Sequence, residues 1–356
     1  MIRVFLARVA TILLLCAPGL MARAQEAIDA VDTYLSRLTN MGQFSGAILI
    51  GRGDRVLLRR GYGLADREHR VPFTPETPHQ VASISKMFTA FATLKLRDAG
   101  KLRLTDSICV HFAPCPVAWR AIRVQHLMRH TSGIPDYERR LVLYSPAYLA
   151  FMTRPDATKR ILETAYSQAL EFKPGTRFAY SNTGYIVLSR LIERASGMPF
   201  NQAMQQLVLE PAGLTNTSML ECSTAPHMLE CSTAPDGLSS GYTSGWQRVP
   251  RLALTPPAGD AALVSTLDDL LRWNRIMDTD PHAGEVFTPG LGGYGFGWFV
   301  DARLGRKRFI HTGELPGART VFVKFPRERL TIIVFSNQDR APIDAMTGEI
   351  SRLMLE

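Results

Sequence analysis

Cysteine is scarce in this chain, 5 in 356 residues, and the 32 acidic residues are outnumbered by 41 lysines and arginines. So few cysteines exclude a miniature fold built on disulfides. With 46% hydrophobic residues the chain can instead bury a large core in one domain or two lobes. No apolar run is long enough to span a bilayer. The short run from Val9 to Leu15 follows Arg3 and Arg8 and precedes Ala22-Arg23-Ala24, the arrangement of an export signal. Cys16 raises lipidation, but Leu15 before it is large where a lipidation signal takes a small residue. Residues 1–24 are therefore expected to be a signal peptide cleaved after Ala24. The mature chain, 25–356, is expected to be periplasmic or secreted, with no stable membrane span.

Removing that signal lowers the formal charge from +9 to +6. The basic clusters Arg59-Arg60, Arg139-Arg140 and Arg306-Lys307-Arg308 are scattered, with no nucleic-acid motif beside them, so a solvated basic surface is expected and no nucleic-acid partner. Cys109 and Cys115 bracket His111 and invite a metal reading. In an oxidising compartment a small disulfide loop is the stronger expectation.

Periodicity then orders the chain. An amphipathic helix is expected over 26–38, followed by strands over 44–50 and 55–60 joined by a Gly-Arg-Gly-Asp turn. From about 101 to 257 the pattern is helices and loops. Strands return over 294–301, 308–311, 320–325 and 330–336, and a helix closes the chain over 342–355. Strands at both ends with helices between predict an α+β fold, an α/β sandwich. Its antiparallel sheet comes from both chain ends (about 25–100 and 258–356) and is flanked by helices, with a mainly helical lobe inserted at about 101–257. Met219-Leu220-Glu221-Cys222-Ser223-Thr224-Ala225-Pro226 is repeated at once as Met228 to Pro235. Two copies do not make a solenoid; a tandem duplication in a tolerant surface loop accounts for them. Whether Cys222 and Cys231 pair stays open.

Three short elements carry chemistry. Val81-Ala82-Ser83-Ile84-Ser85-Lys86 opens a helix running to Gly100 whose residues are apolar almost all round, so it should lie inside the molecule. Ser83 and Lys86 are three apart and share a face. Burial and the positive helix end both disfavour an ammonium there, which would make Lys86 a base for the Ser83 hydroxyl. Such a pair also arises by chance, and a snorkelling lysine is the plainer alternative. The second element, Tyr180-Ser181-Asn182, follows Pro174-Gly175 and precedes a helix. It could supply a phenolate-type base and an amide, or simply cap that helix at Asn182. The third is His311-Thr312-Gly313. There a strand-edge imidazole faces a cleft and Gly313 lets a substrate backbone approach, unless the histidine is structural.

Taken together, these elements resemble the serine β-lactamase and penicillin-recognising hydrolase family, in its class-C-like branch with D-aminopeptidases, DD-peptidases and esterases. Further matches are His130-Thr131-Ser132-Gly133-Ile134-Pro135-Asp136-Tyr137, Ser265 to Leu270, and Tyr294-Gly295-Phe296-Gly297-Trp298, so the resemblance spans about residues 30–340. It implies that Ser83 is the acylated nucleophile, Lys86 its base and Tyr180 a proton shuttle coupled to Lys86. Asn182, His311, Thr312 and Gly313 would bind substrate, Asn182 by holding its amide. The backbone N–H groups of Ser83 and Glu314 would form the oxyanion hole. β-Lactamases and most DD-carboxypeptidases of the family carry lysine where His311 stands. A histidine offers a substrate carboxylate less positive charge at neutral pH.

The resulting expectation is a serine hydrolase acting through an acyl-enzyme on amides or esters, including D-amino-acid peptides and peptidoglycan fragments. A β-lactamase and a non-turnover penicillin or peptidoglycan sensor are the alternatives. No cofactor is expected. A zinc site at His126 and His130, four apart, is also weighed, but Leu127 stands where a metallopeptidase needs glutamate, so no metal is expected.

Overall fold

The computed structural model describes residues 22–139, 141, 145–152, 154, 156–220, 234–250 and 258–356. Residues 1–21 of the expected signal lie outside that range, as do Cys222, Cys231 and most of the duplicated segment. Residues 22–24 begin the first helix, α1, over 22–40.

Six antiparallel strands make the main sheet: β1 (Gly46–Arg52), β2 (Arg55–Tyr62), β3 (Phe299–Arg303), β4 (Arg306–Leu315), β5 (Ala318–Phe325) and β6 (Leu330–Ser336). Their spatial order is β2-β1-β6-β5-β4-β3, so β1 pairs with β6 from the far end of the chain, Gly46 opposite Ser336. None of these six strands comes from 101–257.

Period-two alternation decides what each face covers. Ile48, Ile50, Val321, Val323, Ile332 and Val334 pack with Ile28, Val31 and Leu35 of α1 and with Met346 and Ile350 of the last helix, Ile343–Leu355. Ala47, Leu49, Phe322, Ile333 and Phe335 point the other way, toward α2 (Ser85–Asp98), α3 (Asn182–Ser196) and α4 (Leu267–Thr279). The sheet is thus buried on both faces between helical layers, an α/β sandwich as expected. Two helices were not anticipated: a short one, Ala283–Val286, and α4, capped by Thr266 accepting from Asp269 N. It turns Leu267, Leu270 and Leu271 into the core.

At α2 the expected single helix is broken in two. A 3-10 turn, Ala82–Ile84, precedes the α-helix proper, and Ala82 holds a left-handed φ of 49°. Thr320 Oγ1 donates to Val81 O at 2.9 Å, and Leu263 N to Ser85 Oγ at 3.0 Å, so both flanks of the strained turn are tied to the sheet side. At the other end Gly100 takes a φ of 67°, as a C-terminal cap requires.

Candidate active site

Ser83 sits on that turn, and Lys86, on the first turn of α2, donates from Nζ to its Oγ at 2.9 Å. Lys86 is fully buried. Its two other acceptors are Asn182 Oδ1 at 2.7 Å and the carbonyl of Asp260 at 2.8 Å. All three acceptors are uncharged. Burial pulls the Lys86 pKa down to about 8, and the nearby carboxylates of Asp260, Glu138 and Asp136 keep it from falling further. A share of the amine is therefore free at neutral pH, next to a hydroxyl.

Those carboxylates are the part that sequence reading missed. Asp136 accepts from Asn182 N at 3.1 Å and from Glu138 N at 3.2 Å. Glu138 accepts from Asn182 Nδ2 at 2.8 Å. Tyr137 reaches Glu138 and Asp260 with its hydroxyl, each at 3.4 Å. Burial pushes Asp260 up to about 6 and, reinforced by Asp136, pushes Glu138 up to about 7. Asp136 lies in a quoted motif, yet nothing local announces that Glu138 and Asp260 meet it.

Asn182 is not the helix cap. Ser181 is, accepting from Gly184 N at 3.0 Å, which leaves the Asn182 side chain free to bridge Lys86 and Glu138. The loop before it rests on the His130 segment: Ser181 N donates to His130 Nδ1 at 3.1 Å, and the His130 ring lies 4.2 Å from that of Tyr180. His130 is thus a support, and His126 Nδ1 accepts from Arg123 N at 3.1 Å; neither is turned toward a shared ligand. Among the described residues no cluster of three or more His, Cys, Asp or Glu could hold a metal ion. Cys109 and Cys115 are joined in a disulfide, Cα atoms 5.4 Å apart, which occupies both sulfurs.

The Ser83 side chain lies beside the Tyr180 phenol and works to lower its pKa, and the Tyr180 ring centroid lies 5.0 Å from Lys86 Nζ. Burial lifts its pKa well above the ordinary phenol value, with Glu138, Asp136 and Asp260 adding to the rise. The phenol is therefore neutral at rest, and the phenolate-type base considered from sequence is not its resting form. The amine in contact with Ser83 Oγ is that of Lys86.

β4 was expected to end near His311 but continues to Leu315. Its outer neighbour stops with Phe299 opposite Ile310, so residues 311–315 present an edge on the cleft side. His311 faces inward with Phe309 and Gly313. Thr312 alternates to the other face; its carbonyl accepts from His311 Nδ1 at 2.6 Å. A carbonyl only accepts, so Nδ1 carries the hydrogen and Nε2 accepts from the Tyr294 hydroxyl at 3.0 Å. Burial and the charge on Lys86 drive the His311 pKa down to about 3. The imidazole is neutral, and both its nitrogens are engaged.

Gly313 is also a point of close approach within the protein. A Cβ there would lie 2.4 Å from Val81 O and 3.0 Å from Ala82 Cβ. Its bareness admits the turn that carries Ser83 and lets the 313–314 backbone pass close to it.

A serine hydrogen-bonded to a buried amine at a helix start, with a loop phenol and a sheet-edge imidazole nearby, is the kind of equipment nucleophilic hydrolases use. The family model Beta-lactamase matches residues 31–351, and the chain belongs to that family of hydrolases. Penicillin-binding protein 4* of Bacillus subtilis is 25% identical over 87% of this chain and 71% of its own length. A D-aminopeptidase of Gluconobacter oxydans is 27% identical over 89% of this chain, which spans only 59% of that relative. The D-amino acid amidase of Ochrobactrum anthropi SV3 shares the fold, with a TM-score of 0.76 at 18% identity over 92% of this chain and 98% of its own.

Proposed function

We propose that this protein is an exported serine hydrolase that cleaves amide or ester bonds through an acyl-enzyme, with D-amino-acid-containing peptides or esters, peptidoglycan fragments among them, as the substrate class. The observation that carries the reading is the 2.9 Å contact between Ser83 Oγ and the buried Lys86 amine, whose acceptors include no carboxylate. Ser83 Oγ attacks the carbonyl carbon while its proton passes to Lys86 Nζ. The oxyanion is received by the N–H groups of Ser83 and Glu314. As the intermediate collapses, the leaving amine or alkoxide takes a proton delivered from Lys86 through Tyr180. Water then attacks the acyl carbon and gives its proton to the same pair, which returns it to Ser83 Oγ as the acyl–oxygen bond breaks and the acid leaves. His311, Thr312 and Gly313 form the wall along which substrate lies, with Asn182 opposite.

The substrate preference draws on the relatives: one is named a D-aminopeptidase, and the fold is shared with a D-amino acid amidase. A neutral His311 supplies no fixed cation to a substrate carboxylate, which argues against efficient β-lactam hydrolysis. Export is supported by the N-terminal charged, apolar and small-residue order and by the Cys109–Cys115 disulfide. The test is a hydrolysis panel of D-amino-acid amides, nitrophenyl esters and β-lactams on the mature protein, with Ser83→Ala as blank. Hydrolysis by the Ser83→Ala protein at the parent rate would overturn the assignment. A fluorescent penicillin that labels Ser83 and never leaves would make the protein a sensor.

A further inference from the structure

The side-chain donor of Asn182 is already in use. Its Nδ2 donates to Glu138 Oε2 at 2.8 Å and reaches Asp136 Oδ2 at 3.4 Å, while its Oδ1 accepts from Lys86. Both contacts of the Asn182 N–H donors are therefore with carboxylates. Glu138 is only partly covered. Its Oε1 has one long contact, 3.4 Å from the Tyr137 hydroxyl, so the ionised group keeps lone pairs to offer. It lies on the same wall as the nucleophile, through a chain of hydrogen bonds from Ser83 to Lys86 (2.9 Å), Lys86 to Asn182 (2.7 Å) and Asn182 to Glu138 (2.8 Å).

Charge around the site points the same way. Asp136 and Asp260 flank Glu138, Lys86 is the cation bonded into the group, and Arg139 is engaged by Glu171. Across the cleft His311 is neutral and its Nε2 is taken by Tyr294. The site thus offers an acceptor of negative charge and lacks a free amide donor at Asn182.

We propose that Glu138 is a specificity-determining residue that receives a free ammonium on the α-carbon of the acyl part of the substrate. The preferred substrates are then amides, esters or peptides of amino acids with an unblocked amine, rather than N-acylated or carboxylate-directed ones. This rests on the Ser83 acyl-enzyme reading. Burial and Asp136 hold the Glu138 proton on, and an arriving cation favours the ionised form, so binding and ionisation reinforce each other.

The experiment compares alanine p-nitroanilide, as each enantiomer, with its N-acetyl form and with propionyl p-nitroanilide, which lacks the amine. All are run on the unaltered mature protein, Glu138→Gln and Glu138→Asp. In the unaltered protein, blocking or removing the amine should raise KM about ten- to a hundredfold, the range of a charge-assisted contact. Glu138→Gln should collapse that ratio toward one, mainly through KM, and Glu138→Asp should restore part of it. Equal KM values for free and blocked amines in the unaltered protein would overturn the proposal, and that arm stands even if the variants fail to fold. An equal fall of kcat on all three substrates in Glu138→Gln would also overturn it, making Glu138 a support for Asn182 and Lys86. Fluorophosphonate labelling of Ser83 is followed separately: its failure with the amine preference intact would remove the serine reading and keep the ammonium site.

Discussion

Among the described residues two lysines are buried, and their surroundings differ. Lys324, on β5 beneath α4, pairs directly with Asp278 Oδ1 at 2.7 Å and also reaches Asn274 O at 3.3 Å. Burial lowers its pKa, but the Asp278 carboxylate pulls it back up. Lys86, on the first turn of α2, donates only to neutral oxygens, and the three carboxylates near it act at one remove through Asn182 and the backbone. One ammonium is kept charged by a neighbour; the other is held close to releasing its proton. Burial alone does not make a lysine a base. What matters is whether its first-contact acceptors stabilise the charge.

The sharpest way to break this comparison is to remove each amine in turn. Lys86→Met should lower kcat/KM on an ester or amide by about 10²- to 10⁴-fold, the usual worth of a positioned general base, while unfolding stays cooperative. Activity within threefold of the parent would mean that Ser83 has another base.

The next effect is on pH. If the free Lys86 amine is the base, kcat/KM should climb about tenfold per pH unit below its pKa and level off near 8. A profile that is flat from pH 6 to 9 would contradict it.

Stability should show the same groups with opposite signs. Glu138 and Asp260 have raised pKa values, so the native state binds more protons than the unfolded chain over roughly pH 4 to 7, and stability falls as pH rises through that window. Lys86 has a lowered value, so the unfolded chain binds more protons between about 8 and 10.5, and stability rises with pH there. Urea midpoints across pH 4 to 10 test both slopes, and Lys86→Met should remove the upper one.

The smallest effect belongs to the control. Asp278 has a side chain 56% exposed and keeps its hydration when Lys324 is replaced, so no charge is stranded. Lys324→Met should change stability by no more than about 1 kcal/mol and leave turnover untouched. A large loss of activity would show that the two lysines are coupled.

Much of the site was legible because it is local. Ser83 and Lys86 are one turn apart, and any helix places them together. The apolar run in 330–336 matches β6, Leu330–Ser336, residue for residue, because both faces of that strand are buried in helical layers. Tyr180 and Asn182 were recognisable through a loop before a helix, although the capping duty fell to Ser181. The Leu267–Thr279 helix carried its signals, a Thr266 cap and Leu267-Leu270-Leu271 spacing, inside a segment read only as a motif. Gly313 was legible as a site of close approach, but not what approaches it.

By itself the sequence determined the serine–lysine pair, the loop phenol and the sandwich of a sheet between helices, since each follows from spacing within one segment or from hydrophobic alternation. Only the tertiary structure decided the electrostatics. Asp136 and Glu138 come from one segment and Asp260 from another more than a hundred residues further on, and they act on Lys86 because the fold brings them within Coulomb range in a poorly solvated interior. The neutrality of His311 was decided in the same way, by its burial and by the charge on Lys86.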